Sequence, residues 1–168
     1  WPVKGLFINS WKEMEKLYKE GLCKAIGVCN CNIHHLQEIE KNCEIMPMIN
    51  QIECHPLFTQ KELMKYCNEK NIKVMAYTST GRMDERLRKT ILPELAKKYN
   101  RNIAAIILKW HQQLGNIPII NSFNAKHMEQ NLNLDGFLLK DDEIKIIDEI
   151  NINSRLRYDP DNCDFSKL

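Results

Sequence analysis

No run of apolar residues in this sequence approaches the roughly 20 needed to cross a bilayer, and no secretory n-region and h-region is visible. Charge of one sign is never concentrated either. The chain carries 24 basic and 22 acidic residues, a net charge of +2, and no dense block of one kind. That balance argues against nucleic acid and membrane as partners. Seven cysteines are present, but an odd, scattered set does not make a disulfide framework. Reduced thiols in the cytoplasm are the expectation. Linkers and low-complexity segments are absent, and so is an opening methionine. The chain begins Trp1-Pro2, which suggests a fragment. At 168 residues, 43% hydrophobic and 27% charged, the composition is that of one globular domain over 1–168.

Four short runs rich in β-formers stand out: CKAIGV (23–28), MPMINQIE (46–53), IKVMAYT (72–78) and IPIINSF (117–123). They are continuously apolar, which suits strands buried on both faces of a parallel sheet. Helical periods separate them. Ser10 and Glu13 have the S-x-x-E spacing of a capping box, with Trp11, Met14, Leu17 and Tyr18 on one face and Gly21 as a left-handed stop. A second helix is predicted over 33–42, and a third behind another such box at Thr59 and Glu62. Further helices are predicted near 91–99, 103–114, 125–133 and through DDEIKIIDEI, followed by a tail over 151–168. The charged stretch DERLRK reads as a solvated face. Strand and helix alternating in this way make a βα repeat with a parallel sheet. Four units fit either a small open sheet or half of an eight-unit barrel, and periodicity does not choose.

In such folds chemistry collects where strands hand over to loops. Those positions hold Cys29-Asn30, Gln51, Tyr77-Thr78-Ser79 and Asn121-Ser122. Asn30 and Gln51 offer the donors and acceptors that complement a primary carboxamide. Tyr77 offers a face on which a heteroaromatic ring can stack. Ser122 and Asn124 stand where a helix would start, so they and its free N–H groups suit a phosphate. Amide readers, a stacking ring and an anion cradle describe a nicotinamide dinucleotide site. A zinc site is the competing reading of Cys29, Cys31, His34 and His35, with the later Cys54 and His55. The C-x-C spacing is not that of a structural zinc site, and adjacent histidines entering a helix should point apart. No metal is therefore expected.

The chain resembles the aldo-keto reductases in MEKLYKEGLCKAIGVCN (14–30), NQIECHPL (50–57), AYTSTG (76–81), ILKWHQQ (107–113), IPIINS (117–122) and the closing YDPDNCDF. The resemblance implies an α/β (β/α)8 TIM barrel whose members reduce aldehydes and ketones with NADP(H). On this reading the chain covers the second half, strands five to eight, and lacks an N-terminal half-barrel. It implies that Cys29, Asn30 and Gln51 hold the nicotinamide carboxamide, and that Tyr77 stacks on the ring. Thr78 and Ser79 would stand beside the pyrophosphate, and Asn121, Ser122, Asn124, His127, Gln130 and Asn131 at the adenosine end. Trp1 would line the pocket for a small carbonyl substrate. The family's tyrosine, lysine, aspartate and histidine have no match here, so no catalytic residue is assigned and the chain alone is expected to be inactive.

Three departures from the family pattern bear on the cofactor. Cys29 replaces a serine, Asn121 a lysine and His127 an arginine. The last two remove cations that usually meet the adenosine 2′-phosphate, which predicts a weak or reversed preference for NADP(H) over NAD(H). The competing function is a truncated, non-catalytic nucleotide-binding or interaction module. A four-stranded open half-barrel is also expected to self-associate.

Overall fold

A computed structural model describes residues 1–164 of the chain. Its elements are α1 (Phe7–Lys19), β1 (Gly27–Cys29), α2 (Ile33–Asn42), β2 (Ile49–Glu53), α3 (Lys61–Glu69), β3 (Lys73–Tyr77), α4 (Leu92–Lys98), α5 (Ile103–Gln113), β4 (Ile117–Pro118), α6 (Ala125–Leu132) and α7 (Asp141–Asp148). Two short 3-10 turns, Gly81–Met83 and Glu85–Lys89, occupy the loop after β3. The strands hydrogen-bond in the order β1-β2-β3-β4. Residues 165–168 of the expected tail lie outside the described residues.

Packing groups the chain into two compact units. The first comprises Trp1–Ile52, Lys61–Met75 and the segment from Arg157. Within it β1 and β2 pair in parallel, with Gly27, Val28 and Cys29 opposite Ile49, Asn50 and Gln51. Gly27 is required here: a Cβ at this position would stand 2.8 Å from the Ile49 carbonyl oxygen. Trp11, Ile26 and Ile39 form the core, with Phe7, Met14 and Tyr18 packed against it. The Trp11 indole N–H donates to the Ile45 carbonyl at 2.8 Å. The buried Glu15 carboxylate accepts the N–H groups of Glu44 and Ile45 at 2.8 and 2.6 Å, so its desolvation is offset by two hydrogen bonds.

The second unit comprises Glu53–Gln60 and Ala76–Leu156. The Ile119 N–H donates to the Ala76 carbonyl at 2.8 Å, which sets β4 beside the end of β3. The core includes the fully buried α5 residues Ala105 and Leu108 with Leu134. Trp110 is also fully buried and donates its indole N–H to Asp148 at 2.8 Å.

Three local expectations need correction. The α1 helix starts at Phe7, so Ser10 is interior and its hydroxyl donates back to the Leu6 carbonyl at 3.2 Å, while Glu13 pairs with Lys16. The α3 helix starts at Lys61, with Gln60 at φ 50°, so Thr59 stands too early to cap it. The strands are not buried on both faces. Asn50 and Ile52 of β2 are buried while Ile49 and Gln51 are only half-buried, because their face borders a cavity.

Candidate cofactor site

The first unit encloses a cavity of about 590 Å³ lined by Trp1, Phe7, Trp11, Cys29, Gln51 and Met75, among other side chains. Apolar groups dominate this lining, and Cys29 and Gln51 bring polar atoms to it. The neighbouring Asn30 is buried and takes up left-handed backbone at φ 57°, which asparagine tolerates better than most residues. Its N–H donates to the Gln51 carbonyl at 2.8 Å. Its side-chain amide donates to Cys29 Sγ at 3.3 Å, and the thiol in turn points to Gln51 Oε1 at 3.6 Å. Three of the predicted carboxamide-binding residues are thus in contact. Gln51 Nε2 has no hydrogen-bond partner among the described residues, which leaves both its N–H groups for a ligand carbonyl. Burial pushes the Cys29 thiol up from its ordinary pKa, so it stays neutral and acts as a weak donor, not as a nucleophile.

The second unit holds its own cavity, of about 630 Å³, at the start of α6. Asn121, Ser122, His127, Gln130 and Asn131 all line it. Asn124 does not. Its side chain accepts the His127 N–H at 3.2 Å as the cap of α6, while its own N–H donates to the Ser122 hydroxyl at 3.2 Å. Ser79 is buried, and its hydroxyl donates to the Ile119 carbonyl at 2.9 Å, a loop-holding role. Thr78 adopts φ 52° at the turn into the loop, and Tyr77 is half-buried. Neither Tyr77, Thr78 nor Ser79 lines this cavity.

Sequence reasoning missed Arg88. It projects from the turn Glu85–Lys89 into the same cavity as Asn121 and His127, beside Thr80, Met83 and Asn102. The charges of DERLRK do form a solvated face, with Glu85, Arg86, Arg88 and Lys89 exposed and Asp84 half-buried. Leu87 is fully buried, Arg86 pairs with Asp84 at 2.8 Å, and Arg88 makes no ion pair among the described residues. The one available signal was a lone apolar residue, Leu87, set among charges. No aspartate or glutamate lines this cavity, so Arg88 brings its one fixed charge among the lining residues.

His34 and His35 also depart from expectation. Their Nε2 atoms stand 3.1 Å apart and do not point away from each other. The His35 Nδ1 accepts the Asn32 N–H at 3.1 Å, which turns that ring back over the start of α2.

Comparison with known proteins decides the lineage. The Aldo/keto reductase family matches residues 2–152. The chain belongs to the aldo/keto reductase family. It is 42% identical to the 9,11-endoperoxide prostaglandin H2 reductase of Trypanosoma cruzi, over 96% of this chain and 58% of that protein. It is 38% identical to the glyoxal reductase of Bacillus subtilis, over 98% of this chain and 59% of that protein. Among solved structures, a mutant of Gox0644 in complex with NADPH superposes with a TM-score of 0.89 at 33% identity, covering 98% of this chain and 62% of the other.

These matches correct one expectation. The chain is not assigned as a C-terminal half comprising strands five to eight. The aldo/keto reductase match itself runs through residues 2–152, and the chain takes up 58% and 59% of the curated relatives' lengths, which is more than half. Repeating βα units resemble one another in period, so strand number within a barrel is not written in any one of them.

Proposed function

We propose that this aldo/keto reductase chain holds a nicotinamide dinucleotide for the reduction of aldehydes and ketones to alcohols. The observation that carries the reading is the second unit's cavity, where Arg88 and His127 meet Asn121, Ser122, Gln130 and Asn131 without a carboxylate. An amide-rich cavity with one arginine beside a helix N-terminus suits the phosphate-bearing end of a nucleotide. Cys29, Asn30 and Gln51 are proposed to hold the carboxamide of the nicotinamide, Gln51 donating from Nε2. Tyr77 is proposed to stack on the ring, with Thr78 and Ser79 toward the pyrophosphate and Asn124 supporting the loop at Ser122. Trp1 is proposed to receive a small carbonyl substrate, since it shares a largely apolar cavity with Cys29 and Gln51.

The preference for NADP(H) over NAD(H) is proposed to be weak. By the resemblance, Asn121 and His127 take the places of a lysine and an arginine, and Arg88 is the one arginine or lysine among the residues that line the cavity. The proton donor for reduction is not assigned to this chain. Two tyrosines each contact a lysine and a carboxylate: Tyr66, whose hydroxyl donates to Glu40 at 3.3 Å beside Lys70, and Tyr99, whose hydroxyl donates to Glu143 beside Lys98. Burial and Glu143 hold the Tyr99 pKa above the ordinary phenol value, and Lys98 and Glu143 line another cavity with Ile91 and Leu95. A cytoplasmic location is proposed from the seven free cysteines. Among the described residues no helix is long and apolar enough to cross a membrane.

Binding of cofactor fragments tests this reading by calorimetry on the full chain. Adenosine 2′,5′-bisphosphate should lose affinity on Arg88→Ala but not on Gln51→Ala, and nicotinamide mononucleotide the reverse. Failure of both fragments to bind would overturn the assignment.

A further inference from the structure

We propose that His34, His35 and Asp161 form a binding site for a divalent transition-metal ion of the zinc class. His34 Nε2 lies 3.2 Å from Asp161 Oδ1, His35 Nε2 lies 3.6 Å from the same oxygen, and the two Nε2 atoms are 3.1 Å apart. Zinc binds imidazole nitrogen and carboxylate oxygen at about 2.0–2.2 Å, so ligand atoms at tetrahedral angles stand about 3.4 Å from one another. The triangle of donors has that size already. Three protein ligands then leave room for water, as in an open site.

The surroundings hold the donors in place. Asn32 Nδ2 donates to Asp161 Oδ2 at 2.8 Å, which leaves Oδ1 facing the two rings. Phe7 meets the His35 ring edge-on, with centroids 5.6 Å apart. The His35 side chain is only 10% exposed, whereas those of His34 and Asp161 are 60% and 40% exposed, so an ion can enter from solvent. Two imidazoles with one carboxylate favour zinc, nickel or cobalt over magnesium or calcium, which take oxygen donors.

Two hydrogen bonds oppose the ion. The Asn32 N–H donates to His35 Nδ1 at 3.1 Å, which in the neutral ring puts the proton on Nε2, where it faces His34 Nε2 at 3.1 Å. Coordination through Nε2 moves that proton to Nδ1 and gives up both bonds. The affinity is therefore below that of a fully preorganised structural site. An ion bound here links the start of α2 to the segment around Asp161, and no part in reduction is claimed for it.

Calorimetry of the reduced full chain with Zn²⁺ tests the site, paired with Co²⁺ absorption to separate imidazole from thiolate ligands. One equivalent should bind, and His34→Ala and Asp161→Asn should each lower affinity at least about tenfold with the circular dichroism unchanged. Both side chains are exposed, so neither variant threatens the fold, whereas His35→Ala would remove a helix-end bond and is avoided. No saturable binding, binding indifferent to both substitutions, or a thiolate-to-cobalt charge-transfer band would each overturn the proposal.

Discussion

Asn50 and Cys31 are joined by two hydrogen bonds: the Cys31 N–H donates to Asn50 Oδ1 at 3.3 Å, and Asn50 Nδ2 donates to the Cys31 carbonyl at 2.8 Å. Both residues are buried, and each stands next to a proposed carboxamide-binding residue, Gln51 or Asn30. The amide of β2 thus fixes the loop that carries Asn30. Asn50→Ala leaves a buried N–H and C=O without their partner, a loss of about 2–3 kcal/mol. Urea denaturation should show the midpoint falling with the slope unchanged, and nicotinamide mononucleotide should bind less tightly.

Gly27 faces Ile49 too closely for any side chain. Gly27→Ala should push β1 from β2 and destabilise the chain by about 1–3 kcal/mol. A melting temperature equal to that of the parent would show that the strands part without strain.

Arg88 is expected to carry what remains of the discrimination between phosphorylated and unphosphorylated cofactor. Arg88→Ala should weaken NADPH by about tenfold and leave NADH nearly unchanged, since a hydrogen bond to a charged group is worth about 1.5–3 kcal/mol before solvent screening. Paired dissociation constants at fixed salt check this, and equal losses for both cofactors would remove Arg88 from the phosphate's neighbourhood.

His111 makes the fold sensitive to acid. The ring is fully buried, its Nε2 lies 3.1 Å from the Ser79 carbonyl, and burial lowers its pKa to about 4. The unfolded ring titrates near 6.5, so the unfolded state binds the extra proton first. Stability is full above about pH 6.5 and falls toward pH 4, by about 3 kcal/mol in all. Urea midpoints at pH 7 and pH 5 should differ in the parent chain, and His111→Gln should flatten that dependence.

Much of the local architecture is legible in the sequence because its causes are local. The period of 33–42 makes α2, Gly21 ends α1 at φ 76°, and Asn124 caps α6, each within a few residues of the signal. The same locality accounts for Asn121, Ser122, His127, Gln130 and Asn131 sharing one cavity, since they lie along one loop and the helix α6 that follows it. The start of α1 is not legible from Ser10, because a serine inside a helix can bond its own preceding turn as well as cap a new one.

What the tertiary structure alone decided depends on groups far apart in the chain. Asn32 and Asp161 are 129 positions apart, and nothing in either neighbourhood announces that their side chains meet or that two histidine rings turn toward the same carboxylate. Arg88 borders the cavity of Asn121 because the buried Leu87 anchors the turn Glu85–Lys89 that carries it. Residue order sets which dihedrals and periods are favourable over a few positions. Packing free energy, summed over remote contacts, chooses which distant side chains face one another.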